Sequence, residues 1–214
     1  MINLKPYKTI GEFGEDEFIV NKSRFIGASK HVETEEDALA FIAQRRALHK
    51  DANHCCYAYI IGRNAGIMRY SDDGEPGGTA GMPIMEVLRN KGVVDCVVTV
   101  NRYFGGILLG AGGLVRAYTQ GCVIGVEAAG EVLMRPCIDL MFDMPYNLLG
   151  RLENELKGKP VMILSRDFAG DITLEARIPS EYEDEFNTLI SEISAGRSAV
   201  IKTDEGFYPW KDPE

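Results

Sequence analysis

The sequence predicts an α+β protein of 214 residues in two units. Three observations carry that expectation. Hydrophobic content of 45% and charged content of 26% are those of an ordinary soluble globular chain. Apolar residues alternate with period two in some segments and recur at three- and four-residue spacing in others. Glycine is unevenly placed: fifteen of 23 lie between Gly62 and Gly130, and the chain from Arg135 onward is glycine-poor. A boundary is therefore expected at Leu133–Cys137, where Pro136 interrupts helix. It separates a unit 1–134 from a unit 137–208 and a tail 209–214.

In the first unit, DEFIVNKSRFIGASKHV reads as two strands with a turn at Asn21 and Lys22. Thr34 then caps the helix TEEDALAFIAQRRALHK, whose first turn holds Glu35, Glu36 and Asp37 and whose end holds Arg45, Arg46 and Lys50. Both charge sets suit the helix macrodipole. Ala38, Phe41, Ile42 and Leu48 make its apolar stripe. HCCYAYII is a strand, with Gly66 to Tyr70 as its hairpin partner. Thr79 is placed to cap a helix running to about Asn90, with Pro83 in the first turn and Gly92 as the stop. DCVVTVN is a nearly continuous apolar run, hence a central strand. A helix follows from about Gly112 to Ala129, with Ala117, Gly121, Gly125 and Ala129 at four-residue spacing, so its backbone can lie close to whatever it packs on.

The second unit reads as the strand CIDLMFDM, the helix PYNLLGRLENELK, the strands VMILSRD and DITLEARI, the helix SEYEDEFNTLISEIS and the strand SAVIKTDEGFY. Ser180 and Glu183 have the spacing of a capping box. The order βαββαβ is ferredoxin-like.

Bulk properties narrow the function. The net charge of −9 divides into −2 for residues 1–134 and −7 for residues 135–214. So acidic a C-terminal part is no general nucleic-acid platform, and a bound anion belongs on the first unit. No stretch approaches the ~20 apolar residues of a membrane span. MINLKPYKTI lacks the apolar core of a secretory signal, so a cytoplasmic protein without membrane contact is expected. Five cysteines without CxxC spacing form neither a disulfide framework nor a zinc site. Neither a cofactor nor a resident metal is expected.

Two segments stand out. In NRYFGGILLGAGGLVRAY a buried strand ends, Gly105, Gly106, Gly110, Gly112 and Gly113 crowd into nine residues, and a helix begins between Arg102 and Arg116. That is the composition of an anion cradle, because glycine admits close approach and the first helix amides point outward unpaired. A crossover packed tightly on the sheet has the same composition. The loop is not a Walker A motif and lacks the Rossmann spacing. Tyr103 and Phe104 could stack on bases. In RYSDDGEPGG, the carboxylates of Asp72, Asp73 and Glu75 could hold a divalent cation, pair with Arg102 and Arg116, or turn the chain. His54, at a strand start, is a candidate base or a structural histidine bonded to a loop carboxylate. The two segments are expected to face each other across one end of the sheet, with Asp72 and Asp73 ordering Arg102 or Arg116.

At these residues a pattern emerges. ANHCCYAY at 52–59, SDDGEPGGTAGMP at 71–83 and RYFGGILLGAGGLVRAY at 102–118 resemble the motifs of the YigZ/Impact family, in the same order. The resemblance implies a first domain of the ribosomal-protein type, the fold of domain IV of elongation factor G, followed by a ferredoxin-like domain similar to that factor's domain V. It implies a link to translation. Eukaryotic Impact proteins regulate initiation by competing for the activator of a stress kinase, with an additional N-terminal RWD domain that this chain is expected to lack. The motif residues His54, Asp72, Asp73, Glu75, Arg102, Tyr103 and Arg116, with the loop from Gly105 to Gly113, carry over as a binding surface. Asn101 stands where relatives commonly have Thr, and Leu108 where they commonly have Lys, which removes a cation beside the glycine loop. The expectation is a non-enzymatic protein that binds RNA, the ribosome or a translation factor through this cleft. Two rivals remain: an Mg-nucleotide-dependent small-molecule kinase on the same fold pairing, and a protein–protein adaptor using the acidic C-terminal unit.

Overall fold

The structure, a computed structural model, describes residues 5–211. It is mixed α/β, with two antiparallel sheets and five helices among the described residues, consistent with the α+β class. It divides into two compact units, one spanning Tyr7–Val132 and the other comprising described residues 5–6 together with those from Leu133 on.

The first unit holds β1 (Tyr7–Ile10), β2 (Gly14–Val20), β3 (Ser23–His31), α1 (Glu35–Leu48), β4 (His54–Ile61), β5 (Ile67–Ser71), α2 (Gly81–Lys91), β6 (Cys96–Tyr103) and α3 (Gly110–Ala129). Its sheet has the order β2-β3-β6-β4-β5. The β2–β3 hairpin turns through Asn21 and Lys22, both at positive φ, as a two-residue hairpin of right-handed twist requires. β6 is central because both its faces are covered. Val98 and Val100 pack with Phe25, Ile84, Leu88, Leu114 and Tyr118 beneath α2 and α3. Val97 packs with Phe41, Ile42 and Tyr59 beneath α1.

The small-residue stripe of α3 lies directly on β3. A Cβ at Gly27 would sit 1.8 Å from the Gly121 carbonyl oxygen, and one at Gly125 would sit 2.9 Å from the Gly27 carbonyl carbon. Ser29 Oγ donates to the Gly125 carbonyl at 2.8 Å, tying helix to strand.

The second unit holds β7 (Glu131–Met144, which begins two residues inside the first unit), α4 (Leu149–Glu155), β8 (Met162–Phe168), β9 (Ile172–Pro179), α5 (Glu183–Ser194) and β10 (Val200–Pro209). Within this unit the strands run β10-β7-β9-β8, all antiparallel. Ile138, Leu140, Phe142 and Met144 alternate inward along β7, as Ile172, Leu174, Ala176 and Ile178 do along β9. They meet Leu152 of α4 and Phe186, Ile190 and Ile193 of α5.

Several local expectations need correction. Pro136 does not break the chain at the boundary but sits inside β7, opposite Phe207. The buried stripe of α1 continues through Arg45, three residues on from Ile42, and Leu48 at the last helical position is 65% exposed. Thr34 does cap α1, accepting from the Asp37 amide at 3.1 Å. Thr79 does not cap α2: its hydroxyl donates to the Pro76 carbonyl at 2.6 Å, and a carboxylate takes the helix amides instead. The capping box at Ser180 and Glu183 is absent, because a 3₁₀ turn over Ser180–Tyr182 precedes α5 and no side chain caps it.

Candidate functional site: a cleft at the start of helix α3

His54, the first residue of β4, pairs across the sheet with Arg102 near the end of β6. The turn after β5 lies on one side of this pair and the loop leading into α3 on the other. Together they enclose a cleft of about 380 Å³. His54, Glu75 and Arg102 supply its charged and titratable groups, and Asn53 a polar one. Pro76, Phe104, Leu108, Leu109 and Leu114 make its apolar walls, and Gly110 and Ala111 bring in the first turn of α3.

At the floor, Arg102 Nη1 meets Glu75 Oε1 at 2.6 Å, and both residues are nearly fully buried. Tyr118 on α3 donates its hydroxyl to the same oxygen at 2.7 Å. Burial pushes the Tyr118 phenol far up, so it stays a donor. The Arg102 guanidinium also lies 5.5 Å from the Phe25 ring centroid and 5.4 Å from that of Phe104, within cation–π range. Its Nε is buried without a hydrogen-bond partner.

His54 Nδ1 lies 2.8 Å from the Asp73 carbonyl oxygen, which can only accept, so the proton sits on Nδ1. Nε2 is left facing Glu75 Oε1 at 3.9 Å. Its partner is therefore a backbone carbonyl and not the loop carboxylate expected for a structural histidine.

The three carboxylates of the acidic turn part company, each going to different partners. Asp72 accepts from the amides of Gly78, Ala80 and Gly81 at 2.9, 3.0 and 2.8 Å, and so caps α2. Partial burial acts to raise its pKa, but those three N–H groups outweigh it and hold the carboxyl below its ordinary value. Asp73 pairs with Arg46 of α1 at 2.7 Å and accepts from the Cys55 amide at 2.7 Å. The expectation that Asp72 or Asp73 orders Arg102 or Arg116 thus fails: Glu75, deepest of the three, takes Arg102. Arg116 is exposed on α3 and does not line the cleft.

Of the residues singled out from the sequence, His54, Glu75, Arg102, Phe104 and Gly110 line the cleft. Asp72, Asp73, Tyr103, Gly105, Gly106, Gly112, Gly113 and Arg116 do not. Tyr103 hydrogen-bonds His49 Nδ1 at 2.9 Å. Burial, and then the neighbouring Arg45 cation, lower the pKa of His49. Gly105 serves the scaffold: a Cβ there would meet the Lys22 backbone at 2.0 Å. Gly106 and Gly110, at φ of 82° and 68°, bracket the apolar segment Ile107–Leu109. Composition missed two residues. Asn53 accepts from the Phe104 amide at 2.7 Å, and Tyr118 orients Glu75. Both stand inside the quoted motifs, which was the available signal.

Residues 21–124 match the Impact N-terminal domain, and residues 142–197 match a domain of unknown function, DUF1949. IMPACT family member YvyE of Bacillus subtilis (strain 168) is 37% identical over 197 residues, 92% of this chain and 91% of that protein. The chain belongs to the IMPACT family. IMPACT family member YigZ of Escherichia coli (strain K12) is 34% identical, covering 87% of this chain and 92% of that one. A crystal structure described as that of a hypothetical protein is 31% identical, with a TM-score of 0.60, over 94% of this chain and 98% of that one. Every residue of the cleft, from Asn53 to Leu114, falls inside the segment matched to the Impact N-terminal domain. Among the described residues no group of three or more His, Cys, Asp or Glu is placed to hold a metal ion. No helix among them is long and apolar enough to cross a membrane.

Proposed function

We propose that this IMPACT family protein is a non-enzymatic cytoplasmic protein linked to translation, which binds single-stranded RNA, free or exposed on the ribosome, through the cleft of its first unit. The observation that carries this is the meeting of Arg102, the Phe104 ring and the uncapped N-terminus of α3 in one concavity. No side chain caps α3 and no acidic residue stands in its first turn, so its leading amides are free for an acceptor oxygen. Phe104, 45% exposed, offers a face on which a base can stack. The Leu-rich wall suits an unstacked base better than a paired duplex. Because Glu75 neutralises Arg102 and residues 1–134 carry a net charge of −2, affinity comes from stacking and few phosphate contacts.

We read the first unit as the ribosomal-protein type of domain IV of elongation factor G. We read the second as ferredoxin-like, a reading supported by its βαββαβ order and its strand arrangement β10-β7-β9-β8. The test is fluorescence anisotropy with unstructured RNA, tRNA and ribosomal subunits at about 100 mM salt. Phe104→Ala should weaken RNA binding about 5- to 150-fold, the range of one base–aromatic stack. Arg166→Ala in the second unit should leave it unchanged. Absence of binding, or equal affinity of the Phe104 variant, overturns the proposal.

A further inference from the structure

We infer that the cleft recognises a terminal phosphomonoester of a nucleotide, the phosphorylated end of an RNA strand, in preference to an internal phosphodiester; this deepens the RNA-binding proposal and rests on it. The cationic group lies at depth, and the helix terminus beside it is exposed. Arg102 is 5% exposed, with one of its five N–H donors committed to Glu75 and its Nε buried without a partner. Gly110 and Ala111, at the uncapped start of the 20-residue helix α3, line the same cleft. A phosphate reaching Arg102 enters a cleft that Pro76, Leu108 and Leu109 also line. About 380 Å³ is near the small end of ligand pockets and suits one nucleotide, whereas a chain running through carries a ribose on each side of its phosphate.

Charge points the same way. Glu75 at the floor cancels Arg102, so the excess positive potential there is that of the helix terminus, about +0.5 of a charge. A phosphodiester has one negative charge and two free oxygens. A monoester has about −1.5 to −2 at pH 7 and three. It can therefore accept from an Arg102 N–H and from helix amides at once while its base rests on Phe104. Beyond the cleft, a lengthened backbone finds little: Leu108, 85% exposed, occupies the rim where a cation would prolong the track.

The experiment measures binding of the full chain to a labelled five-nucleotide RNA bearing a 5′-phosphate, a 3′-phosphate or only hydroxyl ends, and to AMP and adenosine by thermal shift. Arg102 is too buried to remove cleanly, so the diagnostic variant is Gly112→Asp. A Cβ at Gly112 meets nothing nearer than Arg116 Nη1 at 3.8 Å, and a carboxylate in the first turn favours the helix while occupying its amides. The expected result is at least about tenfold tighter binding of a phosphorylated end than of hydroxyl ends, the gain from one charge-assisted hydrogen bond. Gly112→Asp should melt at or above the wild-type temperature and lose that preference. AMP stabilising the protein where adenosine does not, with no RNA bound, would keep the phosphomonoester and overturn RNA as its source. Equal binding of phosphorylated and hydroxyl ends overturns end recognition but leaves RNA binding standing. No binding of RNA or nucleotide overturns both, and a preference that survives in Gly112→Asp overturns the assignment to the α3 terminus.

Discussion

Removing the Glu75 carboxylate should be among the most damaging single changes in the first unit. The side chains of Glu75 and Arg102 are 4% and 6% exposed, so neither can turn to water when its partner is lost. Glu75→Ala strands the Arg102 cation and takes the acceptor from the Tyr118 hydroxyl, which burial keeps protonated. Breaking a buried pair from one side costs about 3–5 kcal/mol, against about 0–1 kcal/mol for an exposed pair. At about 3–5 °C per kcal/mol for a unit of this size, a loss of about 4 kcal/mol lowers its melting temperature by roughly 12–20 °C. Glu75→Gln, which keeps an acceptor oxygen of the same reach but not the charge, should cost about half as much. Scanning calorimetry and urea unfolding at pH 7 measure both. The mechanism also requires non-additivity. Glu75→Gln combined with Arg102→Met should be less destabilised than the sum of its singles by about 2 kcal/mol or more, because the stranded cation is gone. A Glu75→Ala cost below about 1 kcal/mol, or strict additivity in the cycle, would refute the reasoning.

Three further outcomes follow from local geometry. Asp72→Asn should cost about 1–2 kcal/mol at pH 7 by weakening the α2 cap; since the folded-state pKa of Asp72 is depressed, that advantage is present above its unfolded value near 4 and should vanish from paired urea titrations as pH falls through the folded pKa. Gly27→Ala places a methyl 1.8 Å from the Gly121 carbonyl and should cost about 3 kcal/mol or more in chemical denaturation, whereas Gly77→Ala, with open space around it, should change stability by less than about 0.5 kcal/mol. Ser180→Ala should be neutral or slightly stabilising in the same assay, because its hydroxyl is buried without a partner and caps nothing, whereas a true capping box would lose about 1 kcal/mol.

Periodicity and turn chemistry made the elements legible. The Asn21–Lys22 turn, the cap at Thr34, the stop at Gly92 and the apolar run of β6 are local signals, and local energies decide them. The close packing of α3 was legible as a spacing of small residues, though not its counterpart, since nothing local marks Gly27 as the residue beneath Gly121. The two capping misses differ in cause. Thr79 and Ser180 both carry good capping side chains, yet Thr79 lost its place to the Asp72 carboxylate, and Ser180 lies in a 3₁₀ turn that sets it three residues ahead of α5. Which carboxylate of the acidic turn meets which arginine depends on depth, and depth is set by chain paths far apart in sequence. Three adjacent acids look interchangeable in one dimension and are held by α2, α1 and β6 in three.

That division of labour has an electrostatic consequence. Had Asp72 and Asp73 both faced the cleft beside Glu75, its net charge would be −2 and no anion would enter it. Asp72 is drawn off by the N-terminus of α2, and Asp73 by Arg46 and the Cys55 amide, so a single carboxylate faces a single guanidinium at the floor. The α2 dipole is thereby spent on Asp72, while α3 has no acid in its first turn. Of these two helices, only α2 has a carboxylate bonded to its first amides. The acidic turn therefore does more than reverse the chain: by absorbing its own charges into the scaffold it leaves the start of α3 as the attractive end of an otherwise neutral, apolar cleft. Under the proposed binding role, the expected consequences are selectivity for few, well-placed negative charges and a shallow dependence of affinity on salt.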